Sequence, residues 1–288
     1  MALVLFGEIH DLRALESELF KQPGLKSLRL LTDVSAIVPG DTITVGILLD
    51  PLPDHHTYWR GPGIVGVATR MDWTLPEGFT AGELIWPPPS QVTMAGILAQ
   101  GYKTPALLLT EISTPIALEE KDVTISVRCS WMACSTSCHP GVADLGFTIP
   151  VVETVGRVKR DKQIAKQFAE VRRITPKPAP ADWTFTPRLP APDRIEIDLV
   201  IPGFDPSRAP TLRFYCHDMQ VDSDEPQTFT VIDPAKGALR LGLARPEFAP
   251  RDPGLISGVL HCPGGWPGLD TEHIEFSAPW PEGTFPNE

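Results

Sequence analysis

Thirty-two of the 288 residues are proline, about twice the usual share, and they fall between short runs in which apolar and polar side chains alternate. Proline removes a backbone donor and clashes with the preceding helical turn, so long helices are excluded over most of the chain, whereas strand ends and loops accept it. The runs have a period of two. Ile43, Val45, Ile47 and Leu49 alternate with Thr42, Thr44, Gly46 and Leu48 after a Pro39-Gly40-Asp41 turn. Val123, Ile125, Val127, Cys129 and Trp131 share one face of a second run, and Thr124, Ser126, Arg128 and Ser130 share the other. Leu107 to Ile112 and the set Phe147, Ile149, Val151 are further strand candidates. Short strands between Pro/Gly turns predict an antiparallel β-sandwich.

A second set of runs begins with Ile195, Ile197, Leu199 and Ile201 and continues through 212–216, 228–232, 239–243, 255–262 and 273–276. It predicts another small sandwich. Between the two sets, Ile164, Phe168 and Val171 have helical spacing, and the polar face carries Lys159, Arg160, Lys162, Lys166, Arg172 and Arg173. That face reads first as the solvated side of a helix lying on a sandwich, and second as a docking face for an acidic partner or membrane. Pro176-Lys177-Pro178-Ala179-Pro180 stops the helix and stiffens the linker. The expected architecture is therefore all-β: a sandwich over 25–155, a helix and Pro-rich linker over 156–188, and a second sandwich over 189–288. Residues before 25 fit neither sandwich, and Leu12 to Phe20 reads as a short helix or a plain extension.

The charge balance of 25 basic against 36 acidic residues gives a net −11, which argues against a nucleic-acid partner, since phosphate binding wants clustered Lys and Arg. No apolar run approaches the ~20 residues of a membrane span. Met1 to Gly7 is apolar but short and lacks a basic leader, so an export signal is not evident.

The chemistry concentrates in Trp131-Met132-Ala133-Cys134-Ser135-Thr136-Ser137-Cys138-His139-Pro140-Gly141. A strand pattern that ends in Cys134 and resumes at Cys138 predicts a hairpin with a three-residue loop. Facing residues of such a pair lie within disulfide reach. A bond closing so small a loop constrains little of the unfolded chain, which favours an exchangeable bond over a staple. His139, if protonated, would favour a thiolate at Cys138. Two alternatives stay open: a structural disulfide or two free hairpin thiols, and a soft-metal site for Cu(I) or Zn(II) built from Cys134, Cys138 and His139, with Met132, His55 and His56 as further donors. Cys129 is expected to be a core thiol, while Cys216 and Cys262 are either paired or reduced in the second core. Asp54 to Gly63 is dense in functional side chains and either lines or shields the dithiol, or is a strand end with aromatic anchors. Trp86-Pro87-Pro88-Pro89 reads as a stiff loop covering the sandwich. No phosphate-loop, nucleophile-elbow, zincin or dinucleotide motif is present, and the sequence calls for no cofactor.

Several linked motifs in order carry a resemblance. His56-Thr57-Tyr58-Trp59-Arg60-Gly61-Pro62-Gly63, then Trp73-Thr74-Leu75-Pro76-Glu77-Gly78-Phe79, Glu83-Leu84-Ile85-Trp86-Pro87, Gly101-Tyr102 and 107–112, and finally Trp131, Cys134, Cys138 and Pro140-Gly141, resemble the N-terminal periplasmic region of DsbD/ScsB-type thiol:disulfide interchange proteins. Phe214, Pro226-Gln227, 237–243 and Gly258-Val259-Leu260 extend the similarity to about residue 280. The resemblance implies immunoglobulin-like sandwiches and a periplasmic location. It also implies that Cys134 and Cys138 are a shuttling pair, taking electrons from a membrane-embedded reductase domain and passing them to thioredoxin-like or other disulfide-bearing proteins. These 288 residues hold neither the multi-span membrane domain nor the thioredoxin-like domain of the fuller family architecture, so they are expected to be either part of a longer protein or a stand-alone relative that needs separate partners. Two rival functions accompany this reading: Cu(I) binding by the same cysteines, as in copper tolerance, and a binding module with no chemistry.

Overall fold

The structure, a computed structural model, describes residues 15–251 and 253–281. It is built almost wholly of strands. The first sandwich pairs two sheets. One runs in the order Phe20–Gln22, Leu25–Thr32, Thr42–Pro51, Ala106–Ser113, Thr80–Ala81. The other runs Cys138–Pro150, Asp122–Cys134, His56–Tyr58, Ile97–Tyr102, Ser90–Met94, with Arg70–Thr74 also paired to Asp122–Cys134. The period-two pattern explains the core: Ile43, Val45, Ile47 and Leu49 meet Val123, Ile125, Val127, Cys129 and Trp131 across the interior. Cys129 is a buried free thiol there, and burial pushes its pKa up to about 12.

Leu107 to Ile112 does not alternate because its strand is covered on both sides. Leu108 and Ile112 enter the sandwich core. Leu107 and Leu109 face outward and, with Leu31, are roofed by Ile164, Phe168 and Val171 of the helix Lys162–Ile174. Asp161 caps that helix, accepting from the backbone N–H of Gln163 at 2.8 Å and Ile164 at 3.0 Å. Arg160 pairs with buried Asp33, fastening the helix entry to the sandwich. The basic face points to solvent, where Arg172 meets Glu111 at 3.2 Å and Arg173 meets Glu170 at 2.7 Å.

The second sandwich packs a sheet ordered Lys177–Pro178, His273–Pro279, Leu255–His261, Arg213–Cys216 on one ordered Thr184–Ala191, Arg194–Val200, Ala238–Ala244, Thr228–Asp233. Ile195, Ile197, Leu199, Leu239, Leu241 and Leu243 fill its core from one side, Phe214, Ile256, Leu260 and Ile274 from the other. Cys216 and Cys262 are both buried and free, so the reduced alternative holds for them. The fold is thus the expected one, two sandwiches joined by a short helix and a Pro-rich linker. The sandwiches meet through Trp59, Tyr102 and Ala106 of the first and Tyr215 and Val259 of the second, with Trp86 packed against them. The Trp86-Pro89 loop covers the sandwich as expected, its Pro87 carbonyl accepting from the Tyr102 hydroxyl at 2.7 Å.

Met1 to Gly7 and residues 12–14 lie outside the described residues. From residue 15 the segment is an extension rather than a helix. Glu16 bridges to Leu31, and Phe20–Gln22 adds a strand to the sheet edge. Among the described residues, no helix is long and apolar enough to cross a membrane.

Candidate redox site

Asp122–Cys134 and Cys138–Pro150 form one antiparallel hairpin whose register runs without a slip from Asp122↔Pro150 to Cys134↔Cys138. Ser135, Thr136 and Ser137 make the loop, with the Ser135 N–H donating to the Ser137 carbonyl at 3.0 Å. Small polar residues suit so tight a reversal. The register sets Cys134 opposite Cys138 with Cα atoms 4.2 Å apart, and the two are disulfide-bonded.

Alternation decides what surrounds the bond. Residues 123, 125, 127, 129, 131 and 133 point into the sandwich, so Cys134 stands on the outer face at the hairpin tip. It is nonetheless 0% exposed, whereas Cys138 is exposed. Tyr58, Val92 and Ala99 bury Cys134, with Val65, Met94 and Met132 packed around them. The cover depends on a close approach. Gly66 has φ +91°, and a Cβ there would overlap the Tyr58 ring, so only glycine serves. The buried Tyr58 hydroxyl has no hydrogen-bond partner, and burial pushes its pKa up to about 12.

The three neighbouring histidines fall on different sides. His139 pairs with Ala133, one step along the ladder from the cysteine pair, and adjacent ladder positions project to opposite faces. Its ring lies 5.7 Å from that of His55, and its Nε2 is 3.2 Å from the Ser137 hydroxyl. His56 pairs directly with Cys134 and shares its face. It is 3% exposed, stands edge-on to Tyr58 at 5.0 Å, and has a buried Nε2 with no partner. Burial first, then the charge of Lys103 and of His55, lowers its pKa, so it is neutral. The residue run 54–63 therefore both lines and shields the disulfide, through His56 and Tyr58. Cys134, Cys138 and His139 do not converge as a metal site: among the described residues, no group of three His, Cys, Asp or Glu side chains could hold an ion.

The lining from Val92, Met94 and Ala99 carries no chemical motif. It reaches the disulfide through the pairing of Ile97–Tyr102 with His56–Tyr58, a long-range contact that no local pattern announces.

The fold and site together define a two-sandwich protein that presents a half-buried disulfide at the tip of a long hairpin. Residues 28–148, which contain both cysteines, match the family model described as Thiol:disulfide interchange protein DsbD, N-terminal. Among solved structures, the N-terminal periplasmic domain of ScsB from Proteus mirabilis is 16% identical. It aligns over 93% of this chain and 99% of that one with a TM-score of 0.64, which shows a shared fold across both sandwiches. The yeast GGA1 GAE domain aligns over 46% of this chain and 97% of its own at 9% identity. Its TM-score of 0.27 carries no argument. No curated protein matches the chain. The resemblance to the N-terminal region of DsbD/ScsB-type thiol:disulfide interchange proteins therefore holds for sequence over the first sandwich and for fold over nearly the whole chain.

Proposed function

We propose that this protein passes electrons by thiol–disulfide exchange through Cys134 and Cys138, within a redox sandwich spanning 25–155. The observation that carries this reading is the asymmetry of the bond, with one cysteine exposed at the hairpin tip and the other fully buried. An incoming thiolate reaches Cys138. Its sulfur bonds to Cys138 Sγ as the Cys134–Cys138 bond breaks, and Cys134 leaves with the electron pair as a thiolate that takes up a proton. A second thiol of the donor then attacks the mixed disulfide, so that two electrons and two protons end on this protein and the donor is oxidised to a disulfide. In the reverse direction the Cys138 thiolate attacks a partner disulfide and Cys134 resolves the mixed species.

The donor is proposed to be a membrane-embedded reductase domain, the acceptors thioredoxin-like or other disulfide-bearing proteins, and the compartment the periplasm, where a dithiol can cycle against oxidised substrates. The family match and the exposed cysteine support these assignments. Single serine variants test them. Cys134→Ser is expected to accumulate a mixed disulfide through Cys138 with a thioredoxin-like partner, and Cys138→Ser to accumulate none. Equal exchange by both variants and the parent protein would exclude the mechanism.

A second reading, Cu(I) capture by the reduced pair, is favoured by the two soft thioethers of Met132 and Met94 beside Cys134. The same variants address it, because stoichiometric Cu(I) uptake would be lost with Cys134→Ser.

A further inference from the structure

The cover over Cys134 is only partly held by the sandwich it belongs to. Ile97–Tyr102 pairs with His56–Tyr58 at Thr57↔Tyr102 and Tyr58↔Gly101, and two more backbone bonds, Trp59 N–H to Gln100 at 3.1 Å and Gln100 N–H to Pro62 at 2.9 Å, continue the contact. There it stops. Ala99 and Val92, which lie against Cys134, belong to the part of the Ser90–Met94/Ile97–Tyr102 hairpin beyond this pairing.

That free part is taken up by the second sandwich. The Ser223 hydroxyl donates to the Leu98 carbonyl at 2.7 Å and accepts from the Ile64 N–H at 3.1 Å. Asp224 Oδ1 accepts from the Leu98 N–H at 2.8 Å. Both backbone groups of Leu98 are thus bonded to the second sandwich, and one hydroxyl bridges the two segments that carry Val65 and Ala99. Gly63, with φ +90°, gives the room: a Cβ there would overlap the Ser223 hydroxyl. The clamp is itself anchored, since Asp222 N–H donates to Ala244 at 2.9 Å and Asp222 Oδ1 accepts from Asp224 N–H at 3.0 Å.

We infer that residues 222–224 of the second sandwich are positioning residues for the redox pair: attack falls on exposed Cys138, and by holding the cover over Cys134 they keep the departing sulfur out of water and thereby set how fast the Cys134–Cys138 bond breaks. The second sandwich is then a governor of the rate, apart from the reacting atoms. This rests on the exchange reading for its biological meaning, but not for its test. Cys134 Sγ carries negative charge in the transition states of reduction and reoxidation alike, so the cover slows both, changing the rates and leaving the equilibrium constant between disulfide and neutral dithiol alone.

The test is the second-order rate of reduction of the disulfide in the full chain by dithiothreitol, followed by thiol alkylation, for the parent protein, Ser223→Ala and Asp224→Ala. The rate is expected to rise about tenfold in Ser223→Ala, the scale of one to two lost hydrogen bonds, and to rise less in Asp224→Ala, with the equilibrium constant against dithiothreitol unchanged in both. Asp224 is exposed, so its variant carries the test if Ser223→Ala does not fold. Parent rates in the folded variants, or a rate that rises only together with the equilibrium constant, would overturn the inference. Because dithiothreitol reads bond breaking without a partner, failure here leaves exchange standing, and failure of partner exchange leaves this result standing.

Discussion

At the scale of single residues, the site turns on which groups share a face with the disulfide. Cys134 leaves as a buried thiolate, and an unscreened buried charge is costly unless a hydrogen bond meets it. His56, opposite Cys134 in the ladder and neutral with a free Nε2, shares that face and is expected to donate that bond. His56→Phe keeps the volume and removes the nitrogen. It is expected to slow resolution of the Cys138 mixed disulfide about tenfold, the scale of a hydrogen bond to a charged group, while leaving alkylation of reduced Cys138 unchanged; stopped-flow mixing with a disulfide partner reads both. Resolution at the parent rate would remove His56 from the account. The cysteine pair and its three-residue loop are legible in the sequence because adjacent alternation fixes both faces of the hairpin. His139, the nearer histidine in sequence, projects to the face opposite Cys134, since one step along a strand reverses the face. His56 stands among the candidate donors in the sequence, but its place directly opposite Cys134 depends on which strand lies beside the hairpin.

At the scale of elements, local period reveals the strands and the helix. Thr42–Pro51 and Asp122–Cys134 alternate and are readable; Thr184–Ala191 alternates as well, but its Pro187 and Pro190 disguise it as loop; Ile97–Tyr102 and Ser90–Met94 lack an apolar alternation that separates them from loop, and emerge only through their pairing. The hairpin formed by Leu255–His261 and His273–Pro279 carries its own pH dependence. His261 and His273 face each other in register with rings stacked 4.5 Å apart, and Glu272 lies 3.7 Å from His261. Burial first, and then the charge of His261, outweigh Glu272 and hold His273 at about 4 against an ordinary 6.5; burial likewise lowers His261. Between about 4 and 6.5 the unfolded chain binds the extra proton, so stability rises with pH across this window and is lost on acidification through it. The melting temperature is expected to fall between pH 7 and pH 5, and less steeply in His273→Phe. Parallel pH profiles for the two proteins would contradict the assignment.

At the scale of the whole molecule, the two sandwiches are joined by an apolar contact around Trp59 and Tyr215 and by the polar clamp at residues 222–224. The fold class, the linker helix and the redox hairpin could be read from residue order, because each depends on local alternation or on motifs that stand close together. The contact between sandwiches could not, since its partners are separated by more than a hundred residues and neither side carries a distinctive pattern. The central claim is that the hairpin disulfide cycles. A redox titration of Cys134–Cys138 in defined glutathione or dithiothreitol buffers, read by alkylation and mass spectrometry, addresses it directly. The account predicts a reversible two-electron transition in the range of exchange proteins, roughly −120 to −270 mV. A pair that stays oxidised below about −300 mV would be a structural staple and would contradict it.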